Sequence, residues 1–164
     1  MRPVNVSYAT IRRASVLLAT KNYLQQSTFF RRLIENAVGG CSMNILIADD
    51  KPHMRCLIRA IVQAHGWDVC AEAEDGRQAI TRAKQYKPDA IVLDFAMPEL
   101  NGVEAARQIS EALPTVPIFL FTFYDCPAVE EEARGAGIQK VISKSDVLTL
   151  VSSIEQAFAN PAAA

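Results

Sequence analysis

Metal-binding cysteine patterns, histidine and long apolar runs are all scarce in this chain, and each scarcity removes a class of function. The four cysteines, Cys41, Cys56, Cys70 and Cys126, form no CxxC pair, and His53 and His65 stand at no zinc-ligand spacing from them. No zinc module or disulfide framework is therefore expected; the cysteines read as buried small hydrophobes in a reducing cytosol, and the histidines as solvent-facing helix residues. No apolar stretch reaches the roughly 18 residues that would cross a bilayer, so no membrane span is expected. There is no internal repeat, and the low-complexity material is confined to the Ala-rich tail at 161–164. Half of the 164 residues are hydrophobic and about a fifth charged, which is ordinary for a globular domain.

The net charge of -1 conceals two materials. Residues 1–42 carry Arg2, Arg12, Arg13, Lys21, Arg31 and Arg32 against Glu35, whereas residues 43–164 hold 11 Lys/Arg against 17 Asp/Glu. The larger part is acidic and shows no electrostatic footprint for nucleic acid. The basic leader, residues 1–42, is rich in Ser, Thr and Asn, has poor helical periodicity and ends in Gly39-Gly40. Its composition leaves several readings open: an organelle transit peptide, a surface- or partner-binding helix, a disordered tail, or untranslated sequence ahead of a start at Met43.

From Met43 to residue 159, strand and helix patterns alternate. Apolar runs at Asn44–Ala48, Ala90–Leu93, Ile118–Phe121 and Lys140–Ser143 are short, and turn residues bound them, as for strands buried on both faces of a parallel sheet. Trp67–Ala73 reads as a further strand. Helices are predicted over Pro52–His65, from Gly76 to before Pro88, from Gly102 to near Pro114, over Pro127–Arg134 and over Asp146–Ala159. In the first, Met54, Leu57, Ile58, Ile61 and Val62 are expected on one face. Pro52 suits a first helical turn, where a missing N–H costs nothing; Asp146 suits the start of the last helix. Five strands alternating with five helices mean βαβ units, hence an α/β doubly wound five-stranded parallel sheet with helices on both faces. Residues 160–164 are left as a tail.

Ligands of open α/β sheets lie beyond the carboxyl ends of the strands. Those ends carry Asp49-Asp50, Asp94, Thr122 and Lys144. If the strands are neighbours, three carboxylates, a hydroxyl and an ammonium converge, a set suited to holding a divalent cation and a phosphoryl group together. Each residue alone has a plainer reading: helix cap, turn residue, strand-end Thr, surface Lys. Their joint placement at strand ends favours the functional one. Trp67, Phe119 and Phe121 read as packing residues, and Glu130-Glu131-Glu132 as a solvated helix face.

In order along the chain, Asp49-Asp50 with Met54-Arg55, Glu74-Asp75-Gly76, Val92-Leu93-Asp94-Phe95-Ala96-Met97-Pro98 with Asn101-Gly102, Thr122 and Lys144 resemble the receiver domain of two-component response regulators, a flavodoxin-like fold. The resemblance covers nearly all of 43–159. Phe121-Thr122-Phe123-Tyr124-Asp125 and Lys144-Ser145 look most like a subgroup that usually carries a LuxR-type helix-turn-helix after the receiver. The resemblance implies that Asp94 accepts a phosphoryl group as a nucleophile. It implies Mg²⁺ held by Asp50, Asp94 and the Ala96 backbone carbonyl, with Asp49 acting through water. Thr122 and Lys144 would contact the phosphoryl oxygens.

The implied partners are a sensor histidine kinase or phosphotransfer protein and an unidentified downstream protein, with homodimerisation on phosphorylation left open. Helix five is followed by only a few residues, so direct DNA binding is not expected. The domain would be a phosphorylation-controlled switch that catalyses only its own phosphorylation and dephosphorylation. One departure concerns the switch: the family often has an aromatic residue at the position of Val141, and Val141 has no ring to swing inward.

The rival readings are a receiver-fold scaffold that is never phosphorylated, a truncated DNA-binding regulator, and an enzyme of the haloacid dehalogenase type. The last usually has a second acid two residues after its nucleophile, where this chain has Ala96. A flavin-binding module fits less well, because no Ser/Thr/Gly-rich phosphate loop follows the first strand.

Overall fold

The computed structural model describes residues 42–159 except Asp125; the expectations for the leader and for the tail at 160–164 lie outside the described residues. The elements alternate as β1 (Asn44–Ala48), α1 (Pro52–Ala64), β2 (Asp68–Ala73), α2 (Gly76–Tyr86), β3 (Ala90–Leu93), α3 (Gly102–Ala112), β4 (Ile118–Thr122), α4 (Pro127–Arg134), β5 (Lys140–Ser143) and α5 (Val147–Ala159). All pairings are parallel, in the order β2-β1-β3-β4-β5, the flavodoxin-like doubly wound arrangement.

The period-2 geometry of strands assigns alternate residues to opposite faces. Leu46, Ala48, Ile91, Leu93, Ile118 and Leu120 pack with Ala79 and Ala83 of α2, Val103, Ala106 and Ile109 of α3, and Val129 and Ala133 of α4. Ile45, Ile47, Val92, Phe119 and Phe121 pack with Met54, Ile58 and Val62 of α1 and Leu150, Val151 and Ile154 of α5. Three helices thus cover one face and two the other. The near-continuous apolar runs are what such two-sided burial requires.

Three of the five helices start at polar caps. The Asp75 carboxylate accepts the Gln78 N–H at 2.7 Å, Asn101 Oδ1 accepts the Glu104 N–H at 2.8 Å, and Asp146 Oδ1 accepts the Thr149 N–H at 3.1 Å. Each satisfies a donor that has no partner within the helix. Trp67 is buried just ahead of β2 rather than inside it.

Two expectations about burial are overturned. Cys56 and Cys126 are exposed and Cys70 is half-buried. Cys56 follows the buried pair Met54-Arg55 around the helix onto the solvent side of α1, Cys126 is the N-cap of α4, and Cys70 is the extra residue where the β1–β2 register shifts on the edge strand. Cys41 lies outside the described residues. Leu57 is also exposed, since its 100° offset from Ile58 carries it off the stripe formed by Met54, Ile58 and Val62. His53, His65 and Glu130 to Glu132 are exposed as expected.

Candidate phosphoacceptor and metal site

The sheet's own hydrogen bonds extend past the strand ends and fix the polar residues there. The Asp49 N–H donates to the Ala73 carbonyl at 3.1 Å, the Asp94 N–H to the Ala48 carbonyl at 2.8 Å, and the Lys144 N–H to the Thr122 carbonyl at 2.9 Å. Side chains on so rigid a base converge without loop ordering. One carboxylate oxygen from each of Asp49, Asp50 and Asp94 lies within 4.8 Å of the others.

Lys144 reaches into this cluster. Its ammonium donates to Asp49 Oδ2 at 2.6 Å and lies 3.0 Å from Asp94 Oδ2. Its side chain is 1% exposed, against 0% for Asp49. A lysine is seldom so buried unless it is paired; here two carboxylates hold it, and the surface reading of Lys144 is excluded. From the solvent side, Lys51 Nζ donates to Asp50 Oδ1 at 3.1 Å, and this bond lifts the Lys51 pKa above its ordinary value. The second oxygens are satisfied by backbone: Asp49 Oδ1 accepts the Lys51 N–H at 2.9 Å, and Asp94 Oδ1 accepts the Phe95 N–H at 2.8 Å. Burial pushes the Asp94 carboxyl pKa up; the Lys144 ammonium opposes that shift, and the neighbouring Asp49 charge reinforces it.

Thr122 is fully buried at the end of β4, and its Oγ1 accepts the Tyr124 N–H at 3.2 Å. Ala96 is exposed and Val141 half-buried. Two glycines allow the acceptor loop to close. A Cβ on Gly102 would fall far inside contact with the Asp94 carbonyl oxygen and 2.9 Å from its carbon, and one on Gly76 would lie 2.9 Å from the Leu100 carbonyl carbon.

Arg55 stands in the sequence only as part of the Met54-Arg55 motif, yet its guanidinium ties the end of β1 to acids on and just beyond β2. It is buried, donating from Nη1 to the Asp49 carbonyl at 2.8 Å, from Nη2 to Glu74 at 3.0 Å and from Nε to Glu72 at 3.3 Å. Arg59 also bonds Glu72. The signal for Arg55 was a charged residue between Met54 and Ile58 on the inward stripe; its acidic partners, on and just beyond β2, were invisible until β1 and β2 were known to be neighbours.

The sequence model of the response regulator receiver domain matches residues 45–155, and the chain belongs to that family. Chemotaxis protein CheY of Thermotoga maritima is 35% identical over 100 residues, which cover 61% of this chain and 83% of that protein. An uncharacterized transcriptional regulatory protein of Bacillus subtilis, YxjL, is 38% identical over 96 residues, or 58% of this chain and 44% of that protein. Among solved structures, a LuxR-family two-component response regulator from an Aurantimonas species superimposes with a TM-score of 0.69 at 31% identity, over 73% of this chain and 87% of that one. The fold and family expected from the sequence are thereby established, and with them the general class of phosphoacceptor regulators in two-component signalling. Among the described residues, no helix is long and apolar enough to cross a membrane.

Proposed function

We propose that Asp94 is the phosphoacceptor of a Mg²⁺-dependent switch and that Lys144 and Thr122 read the phosphoryl group. The observation that carries this reading is the buried Lys144 ammonium, bonded to Asp49 and close to Asp94 beside a third carboxylate. Three hard oxygen donors in so small a volume fit the preference of Mg²⁺ for carboxylate ligands with retained waters. Asp50 and Asp94 would ligate directly, with the Ala96 carbonyl, and Asp49 would act through water. The bound ion would supply charge neutralisation for the phosphoryl oxygens.

This chain's residues then do the following. The Asp94 carboxylate attacks phosphorus in line, forming a P–O bond while the donor's bond to phosphorus breaks and its electron pair leaves with the donor. Lys144, already within 3.0 Å of Asp94, transfers its ion pair to a phosphoryl oxygen. Thr122 turns its O–H toward another. Such reactions depend on positioning and electrostatics more than on covalent assistance. The donor is a histidine kinase or phosphotransfer protein, and the output is a protein contact. Incubation with acetyl phosphate and Mg²⁺ is expected to add one phosphate per chain and to add none in EDTA; Mg²⁺-independent uptake would refute the reading.

Val141 pairs with Leu120 across β4 and β5; being β-branched, it is restricted at χ1 and has no ring to move. The signal should therefore run through the segment after Thr122 into α4. Hydrogen exchange on the beryllofluoride-bound protein should change at 122–134. Changes centred on 139–143, with 122–134 unaltered, would contradict this route.

A further inference from the structure

Lys51 follows the Asp49-Asp50 pair and is the N-cap of α1, but helix capping does not account for it. Its side chain makes no capping bond, and an ammonium at a helix N-terminus opposes the helix dipole, which favours negative charge there. Packing does not account for it either, since 48% of the side chain lies in water. What the side chain does is hold Asp50. Its ammonium lies 3.1 Å from Oδ1 and 3.4 Å from Oδ2, so it straddles the carboxylate and leaves neither oxygen unshared. The main chain of the same residue serves the other acid: the Lys51 N–H donates to Asp49 Oδ1 at 2.9 Å.

The two roles differ in how readily they can be given up. The Lys51 carbonyl accepts the Met54 and Arg55 N–H groups at 3.0 and 3.2 Å, which fixes its main chain at the helix start. The side chain is a flexible stem with a strongly hydrated head, free to swing away while the backbone stays. Lys144, by contrast, holds Asp49 and Asp94 from inside the fold. Asp50 is the most exposed of the three acids, at 32% against 0% for Asp49 and 4% for Asp94, so an ion arriving from solvent meets it first. Such an ion must displace the Lys51 ammonium or share an oxygen with a like charge. We propose that Lys51 is a resident counter-ion at the mouth of the carboxylate cluster, which a divalent cation must displace from Asp50. It thereby holds the affinity for Mg²⁺ below what the cluster would otherwise give. The inference rests on the reading of the cluster as a Mg²⁺ site, and its test reads metal binding rather than phosphate.

Calorimetric titration of the full chain with magnesium chloride at low ionic strength measures that affinity directly. Lys51→Met should bind Mg²⁺ about threefold more tightly than the wild type, the scale of one exposed ion pair. The gain should shrink at high salt, which screens such a pair. Lys51→Arg, which keeps the cation, should bind no more tightly than the wild type. Lys84→Gln is the control for net charge: it removes a lysine from the last turn of α2, at the end of the sheet opposite the cluster, and should leave the affinity unchanged. Unchanged or weaker binding by Lys51→Met would overturn the counter-ion role. An equal gain in Lys84→Gln would overturn it too, by tracing the effect to net charge alone, and so would an equal gain in Lys51→Arg. If neither the wild type nor any variant takes up Mg²⁺, the metal reading of the cluster fails, and the counter-ion role with it.

Discussion

Lys144→Met should lower the stability of the domain by about 3 kcal/mol at neutral pH, because removing one partner from a buried ion cluster strands the others. Asp49 and Asp94, both buried, would then face each other with no ammonium between them. The loss should depend on pH with a definite sign. Burial already holds the Asp94 pKa above that of an ordinary carboxylate, and Lys144 is the main influence opposing it, so the variant's Asp94 should bind its proton more tightly still. A group that binds a proton more tightly when folded loses stability as pH rises through its folded pKa. The deficit should therefore be full at pH 7.5 and smaller at pH 5. If the carboxylate cluster takes Mg²⁺ as proposed, the ion would supply the missing positive charge and should stabilise the variant more than the wild type. Urea denaturation at the two pH values, with and without Mg²⁺, measures all three effects; a deficit independent of pH and Mg²⁺ would mean that Lys144 acts through packing alone.

Gly102→Ala should cost about 3 kcal/mol or more, through a different cause. Its N–H donates to the Phe95 carbonyl at 2.9 Å, closing the acceptor loop onto the start of α3. An added methyl would collide with the carbonyl of Asp94 itself, which is backbone and has no rotamer to give. Because the displaced group belongs to the candidate phosphoacceptor, phosphate uptake should fall along with melting temperature. A variant equally destabilised on the far side of the sheet, such as Ile154→Ala, should keep its uptake while folded. If Gly102→Ala phosphorylates normally below its melting temperature, the loop's close approach does not position Asp94.

Much of this arrangement was legible in the sequence because parallel strands buried on both faces appear as unbroken apolar runs, and their ends mark where a ligand site forms. Asp49, Asp50, Asp94, Thr122 and Lys144 stand at those ends in the sequence, and the structure bounds α4 at Pro127 and Arg134, as expected. The partnerships were harder to read. That Lys144 bonds Asp49 as well as approaching Asp94 depends on β1, β3 and β5 converging at one end of the sheet, and contacts at such sequence separations leave no local pattern. Arg55 was hidden for the same reason. The cysteines were misplaced because a residue's average tendency to be buried says nothing about which side of a helix it occupies: Cys56 shares α1 with Met54 and Ile58 but not their face. Lys51 carried no periodic signal at all, since its contact is with a charge rather than with the core.

Asp94, and no other side chain, is proposed to take the phosphoryl group. The test is to treat the wild type and Asp94→Asn with acetyl phosphate and Mg²⁺, measure intact mass, and locate the phosphorylated residue as the homoserine that borohydride reduction leaves in its place. One phosphate, labile to hydroxylamine and mapped to Asp94, with none on Asp94→Asn, is the predicted result; equal incorporation by the variant, or a phosphate mapped elsewhere in the wild type, would contradict it.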